Sequence, residues 1–486
     1  MKQVLFSVAI AAAFSLKLFP LYAGELKIGV AQADITPDRP VALTGGRTAP
    51  ISKGVNSPVT ANVLALETLE AGKPVESAIL VSCDLCVIRP GIQARFRDRV
   101  APSLPGFDTN KLFLAATHTH KGPAILPDAY DDYAGAMEPQ EYVPFMFERI
   151  AEAVVRAWES RKPGSFAWGL GHVVVAQNRR AAYANGSAQM YGNANRPDFR
   201  GLEGYEDHTV DSLFFLGADR KPLAVAVTVP CPAQTDERGP CGWRVSADFW
   251  HDVREGLRKV HGQQLIVLGF TGPAGDQSPH LMIRHKAETR MQELRGLSRT
   301  QEMGRRIVSA VNDTWAVVKD DVRTDLPFVH RVECFELPEQ TVTEAEYTEA
   351  KTQYDQLAAK EKLTGADYWN KRWHGRVVDG YEQQQRGPTV NAIEMHVLRL
   401  GDVAIATNPF ELYTDYGIQI QARSPAEQTI LIQLASPVGS AGYLATPRAL
   451  AGKGYSAIPQ SCRVGPEGGQ ILVERTVVAI QKLFNE

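Results

Sequence analysis

Apolar positions along the chain fall into two kinds of block. Ala61–Glu67 alternates into a strand, and Ala78–Ser82 and Lys111–Ala116 are apolar runs of buried-strand length. Leu213–Leu216, Ala224–Val229, Leu265–Phe270, Ala392–Leu398, Val403–Ala406 and Ile430–Leu434 repeat that pattern. Between them, Glu141–Trp158, Ala247–Val260, Arg299–Val318 and Gly469–Phe484 carry apolar residues at three- and four-residue spacing, which predicts amphipathic helices. Thr343–Lys362 is rich in Ala, Glu, Lys and Gln and predicts an exposed helix. Strands alternating with helices predict an α/β fold, a mixed β-sheet core flanked by helices. The polar stretch 339–385 has too little apolar content to bury a core of its own, so it reads as a helical insertion on one domain spanning 24–486.

The first residues change the cellular context. Lys2 precedes an apolar run from Val4 to Leu21 that Lys17 and Pro20 interrupt, and Ala23 offers a small residue for cleavage. This predicts a secretory signal peptide over 1–23 and a periplasmic or extracellular location. The alternative is an uncleaved N-terminal anchor. Charge adds one exclusion. With 52 Lys and Arg against 55 Asp and Glu and no basic run, nucleic acid is not an expected partner. Oligomeric state is not legible.

Six cysteines are too few for a disulfide scaffold at this length. Cys83-Asp84-Leu85-Cys86 has CxxC spacing without thioredoxin-like surroundings, which argues against redox catalysis there. Cys231 and Cys241 are close enough in sequence for a disulfide to compete with any metal role of Cys231.

Several candidate segments follow predicted strands, where rigid elements present loops. His118 and His120, in Thr117-His118-Thr119-His120-Lys121-Gly122-Pro123, offer imidazole nitrogens for a metal or stand as a structural pair. Arg179, after Asn178, supplies a permanently charged planar donor for an oxyanion, or a surface ion pair. Cys231-Pro232-Ala233-Gln234 offers a thiolate. Gly275-Asp276-Gln277-Ser278-Pro279 brings Asp276 and Ser278 to a turn where backbone approaches closely. Glu411, Tyr443 and Tyr455 add a carboxylate and two phenols.

In order, these segments resemble the catalytic domain of the neutral/alkaline non-lysosomal ceramidases, from Ile28-Gly29-Val30-Ala31-Gln32-Ala33-Asp34-Ile35-Thr36 to about Gly465-Pro466. The family's THTHSGP, NR and GDxSP stretches correspond to 117–123, to Asn178-Arg179 and to 275–279. Its late glutamate falls on Glu411, and its paired tyrosines fall on Tyr443 and Tyr455. The resemblance implies zinc as cofactor, with His118, Glu411 and Tyr443 as ligands. It implies that His120, Arg179 and Tyr455 surround the scissile carbonyl of a small-molecule or lipid N-acyl substrate, with Ser278 close to the metal. A lipid substrate further implies peripheral membrane contact.

Two departures stand out. The family's second zinc histidine lies in a segment resembling HPxSM, which matches Cys231-Pro232-Ala233-Gln234 here, so the resemblance makes Cys231 the fourth zinc ligand. The immunoglobulin-like C-terminal domain that the family often carries has no counterpart before Glu486. The expected function is therefore an exported zinc-dependent amidohydrolase with its N-acyl substrate unspecified. Two rival readings are a glycan-active metallohydrolase (deacetylase or glycosidase) and a non-catalytic binding protein.

Overall fold

The computed structural model describes residues 24–127, 130, 133, 135–235 and 242–485. The predicted signal peptide and Cys241 lie outside the described residues.

Three sheets carry the fold. The first contains β1 (Gly24–Asp34), β2 (Thr60–Glu70), β3 (Lys73–Cys83) and β4 (Leu112–Ala116). The second contains β5 (Ser165–His172), β6 (Thr209–Leu216), β7 (Pro222–Val229) and β8 (Ile266–Thr271). The third contains β9 (Phe328–Pro338), β10 (Val390–Leu400), β11 (Val403–Thr407) and β12 (Gln428–Ile432). In each sheet the last neighbouring pair is parallel: β3 with β4, β7 with β8, β11 with β12. The pairs joining β1 to β2, β2 to β3, β5 to β6, β6 to β7, β9 to β10 and β10 to β11 are antiparallel.

The apolar runs are continuous because both faces of these strands are covered. Along β2, Val63 and Ala65 join one core with the outer helices, while Leu64 and Leu66 join a second core shared with Phe113, Phe215, Phe270, Leu398 and Ile432. The period of two thus feeds two cores from one strand. Helices Pro139–Glu159, Phe249–His261 and Arg299–Val318 contribute to the first core, and Pro466–Asn485 covers the third sheet.

The parallel pairs bring chain ends together. Ser82 Oγ donates to the Gly269 carbonyl at 2.6 Å, joining the first sheet to the second. Thr271 Oγ1 donates to the Thr117 carbonyl at 3.3 Å, the Gln433 amide to the Thr271 carbonyl at 3.0 Å, and the Ala116 amide to the Leu434 carbonyl at 3.2 Å. The C-terminal ends of β4, β8 and β12 therefore meet at one place.

The stretch 339–385 holds a second helix beyond the one predicted at Thr343–Lys362. Glu344–Ala358 and Gly365–Gln384 each start on a threonine capping box, Thr343 with Glu346 and Thr364 with Asp367. Tyr347 stacks on Tyr381 with centroids 4.3 Å apart. Val342, Ala350, Val377 and Val378 form a small cluster between the helices. The second helix escapes the sequence reading because its Trp369 and Trp373 face a cavity, which disguises its helical period.

Candidate metal centre and active site

β4 ends at Ala116, and the chain turns at once. His118 sits at φ +66°, a left-handed conformation that a residue with a Cβ adopts at a cost of roughly 1–3 kcal/mol. Two backbone bonds fix it, Thr117 N–H to the Cys83 carbonyl and His118 N–H to the Leu85 carbonyl, both 3.0 Å. The turn brings the two rings edge to face, with His118 Nε2 and His120 Nε2 3.2 Å apart.

His118 Nδ1 lies 2.7 Å from the Cys86 carbonyl oxygen. A carbonyl only accepts, so Nδ1 carries the hydrogen and Nε2 presents its lone pair. That lone pair faces Glu411 Oε2 at 3.6 Å. Two electron-rich atoms so placed repel unless a proton or a cation lies between them. An imidazole whose other nitrogen donates to a backbone carbonyl is the arrangement metal-ligating histidines adopt. Cys86, His118 and His120 form a group whose potential ligand atoms all lie within 4.8 Å of one another. Burial pushes the Cys86 thiol up, but the His118 and His120 rings outweigh it and hold it at about 6. The donor set thus fits a divalent ion that accepts nitrogen, oxygen and sulfur ligands.

Two short ladders hold the other side chains in place. Gln177–Asn178 pairs antiparallel with Gln277–Ser278, and Asn178 Nδ2 donates to Asp276 Oδ2 at 3.0 Å. Glu411 pairs parallel with Tyr443, and the Gly275 amide donates to the Leu412 carbonyl at 2.8 Å. Arg179 is buried at the junction of these ladders. It donates to Tyr191 Oη at 2.9 Å, to the Gly275 carbonyl at 2.9 Å and to Tyr443 Oη at 3.4 Å. It also faces Glu411 Oε2 at 3.7 Å. Burial opposes its charge, yet Tyr191, Tyr443 and Glu411 outweigh that and keep it firmly cationic.

Tyr443 and Tyr455 meet edge to face, centroids 5.6 Å apart. Burial, then Glu411, pushes the Tyr455 phenol up to about 12, and the same two influences raise Tyr443 further. Both remain donors around neutral pH. Ser278 Oγ accepts from Tyr191 Oη at 3.1 Å and lies 2.9 Å from His280 Nδ1.

These groups surround one cavity of about 290 Å³, lined by His118, His120, Arg179, Glu411, Tyr443 and Tyr455. Ser278 stands one hydrogen bond behind it, through Tyr191.

Cys231 does not share the cavity. It is fully buried, and its Sγ rests against the Pro232 and Val175 carbonyls at 3.7 and 3.8 Å. Burial, then Asp248, pushes that thiol far above its ordinary range. The cysteine beside the histidines is Cys86, which the sequence reading met only as part of a CxxC. Its position after β3 was legible, but only the fold runs β3 parallel to β4, which ends at the histidines, and so brings Cys86 beside them. Gln234, three residues after Cys231, does line the cavity and donates to Tyr191 Oη at 3.2 Å. Tyr191 carried no sequence signal, because tyrosines in irregular segments are common.

No family model matches the chain. The neutral ceramidase of Pseudomonas aeruginosa is 26% identical over 212 residues, a match spanning 42% of this chain and 29% of that protein's length. A solved structure described as a ceramidase complexed with C2 superposes with a TM-score of 0.68 at 16% identity, covering 94% of this chain and 76% of that one. A crystal structure of the Pseudomonas aeruginosa neutral ceramidase gives a TM-score of 0.65 at 18% identity, covering 94% and 75%. The chain is thus similar to a neutral ceramidase in sequence over the matched segment, and it shares the neutral ceramidase fold along nearly its whole described length.

Proposed function

We propose that the chain is an exported, zinc-dependent amidohydrolase that cleaves an N-acyl amide bond. The observation that carries this reading is the His118 Nε2 lone pair facing the Glu411 carboxylate, with Arg179 and two phenols around them. His118, Glu411 and Tyr443 would hold the ion, with His120 and Cys86 adjacent. When bound, zinc would supply Lewis-acid polarisation at the scissile carbonyl.

The remaining steps belong to the protein's own groups. Arg179 and Tyr455 donate to the carbonyl oxygen as negative charge develops there. His120 Nε2 is placed to take a proton from the attacking water and return it to the leaving nitrogen. The water oxygen bonds to the acyl carbon, the C–N bond breaks, and the products are a carboxylate and an amine. Ser278 is a positioning residue, acting on Arg179 through Tyr191. Likeness to the neutral ceramidases supports an N-acyl lipid as substrate class, and export agrees with the N-terminal residues.

The test is chelation followed by zinc add-back, with hydrolysis of an N-acyl lipid followed alongside that of N-acetylated and plain glycans. Amide cleavage that disappears with the metal and returns with zinc is expected. Unchanged cleavage after verified metal removal, or cleavage of glycans alone, would overturn the reading.

A further inference from the structure

Tyr191 is tied to Arg179 through both backbone and side chain. The strand Ala188–Met190 pairs antiparallel with Arg180–Tyr183, and just beyond it the Tyr191 amide donates to the Arg179 carbonyl at 2.7 Å. The Arg179 guanidinium returns a hydrogen bond to Tyr191 Oη. Tyr191 sits at φ +53°, a left-handed conformation that is an outlier for a bulky side chain. Strain of this kind persists where the surroundings over-determine it. Here the partners of the Tyr191 hydroxyl do so, and they lead away from the cavity to His280.

Counting donors and acceptors places the hydrogens of this network. Arg179 Nη1 and Gln234 Nε2 can only donate, and both reach Tyr191 Oη, at 2.9 and 3.2 Å. They use the oxygen's acceptor positions, so the phenol's own hydrogen goes to Ser278 Oγ at 3.1 Å. Ser278 Oγ also accepts from the His280 amide at 3.0 Å. Its hydroxyl hydrogen is left for His280 Nδ1, 2.9 Å away. That nitrogen lies 3.3 Å from Tyr191 Oη as well, and the two rings meet edge to face with centroids 5.2 Å apart. A ring nitrogen that accepts carries no hydrogen, so His280 is the tautomer protonated on Nε2. Arg299 Nη2 donates to the Pro279 carbonyl at 3.0 Å and so holds the turn that carries His280. The chain has one direction, from Arg179 through Tyr191 and Ser278 to His280. Its effect is on the guanidinium. Nη1 is held by Tyr191, and Nη2 by the Gly275 carbonyl and Tyr443 Oη, while the buried Nε–H finds no acceptor in the protein. A buried, unsatisfied donor on a residue that lines a cavity is the group a ligand oxygen would meet.

We infer that His280 is a positioning residue for this site: as the final acceptor of a directed hydrogen-bond chain through Ser278 and Tyr191, it holds the Arg179 fork ready for a substrate oxygen. The consequence for amide cleavage rests on the amidohydrolase reading, whereas the direction of the chain does not. Without an acceptor at position 280, the Ser278 hydroxyl turns back towards Tyr191. The phenol hydrogen then competes with Arg179 for the same oxygen, and the fork loosens.

Nitrogen-15 labelling of the histidines in the full chain reads the tautomer at about pH 8, where an ordinary imidazole is neutral. The His280 signals are those that vanish in His280→Asn. A pyridine-like Nδ1 with a pyrrole-like Nε2 is expected, and the reverse pattern overturns the inference. Turnover of N-octanoylethanolamine is measured alongside. His280→Leu should lower kcat about tenfold, with KM changed by less than about twofold and with zinc content and the urea midpoint retained. His280→Asn, whose Oδ1 can accept from Ser278, should stay within about threefold of the native kcat. Tyr191→Phe should cost as much as His280→Leu, and the double variant no more than either, because each breaks the same chain. Additive losses, a normal kcat in folded His280→Leu, or no rescue by asparagine each overturn the inference. Should His280→Leu not fold, the tautomer and the comparison of Tyr191→Phe with His280→Asn decide. If the native chain cleaves no amide, amide hydrolysis falls alone, and binding of octanoate, a carboxylate for Arg179, replaces turnover. His280→Leu should then weaken octanoate binding about fivefold, and equal binding overturns the inference.

Discussion

His118 Nε2 and Glu411 Oε2 stand 3.6 Å apart although they leave different sheets, one at the end of β4 and the other beyond β11. Each is held by its own backbone partner, His118 by Leu85 and Glu411 by the Gly442 carbonyl at 2.8 Å. The pair is therefore preorganised, and a bound cation gains their attraction without having to assemble them.

Metal content should distinguish the two buried cysteines. Cys86→Ala is expected to weaken zinc affinity roughly tenfold, because its thiol lies 4.0 Å from His118 Nδ1 inside the donor group. Cys231→Ala should change affinity by less than about twofold, since its thiol turns to the Val175 and Pro232 carbonyls. Competition with a chromogenic chelator reads both. The reverse order would return Cys231 to the ligand set.

Arg179 is expected to be irreplaceable by lysine. Three hydrogen bonds and one ion pair fix its planar fork, and an ammonium cannot reproduce that geometry. Arg179→Lys should lower kcat by about a hundredfold or more while zinc content is retained. A variant with normal kcat and raised KM would move Arg179 from the reaction centre to substrate binding.

Gly45 controls His120. It has φ +117°, and a Cβ there would overlap the His120 ring. Gly45→Ala should displace that ring, lowering kcat about tenfold or more with little change in zinc affinity. Equal loss of zinc would instead show His120 to be a principal ligand.

Asp211 gives a pH signature outside the site. Burial, then Asp207, pushes its carboxyl from 3.8 up to about 7, while Gln428 donates to it. A carboxyl whose folded pKa is raised stays protonated in the folded state between those values and ionises in the unfolded one. Its contribution to stability is therefore full at about pH 4 and lost as pH rises towards 7. Urea unfolding should show Asp211→Asn close to the native protein near the lower limit and more stable by a few kcal/mol above the upper one. No divergence across that window would mean that Asp211 is ionised and stabilised by groups other than Gln428.

By itself, the sequence determined the elements and most of the donors. Strand-length apolar runs such as Ala78–Ser82 and Ile430–Leu434 are legible because burial on both faces demands continuous apolar side chains. His118, Arg179, Glu411, Tyr443 and Tyr455 are legible because few residue types do that chemistry, and here they recur in a recognisable order. What only the tertiary structure decided is who faces whom. That Cys86 rather than Cys231 lies beside the histidines depends on the direction of side chains after strands that run parallel, and spacing along one chain does not encode direction across a sheet. The pairing of the Asn178 and Ser278 segments, and of Glu411 with Tyr443, is likewise long-range.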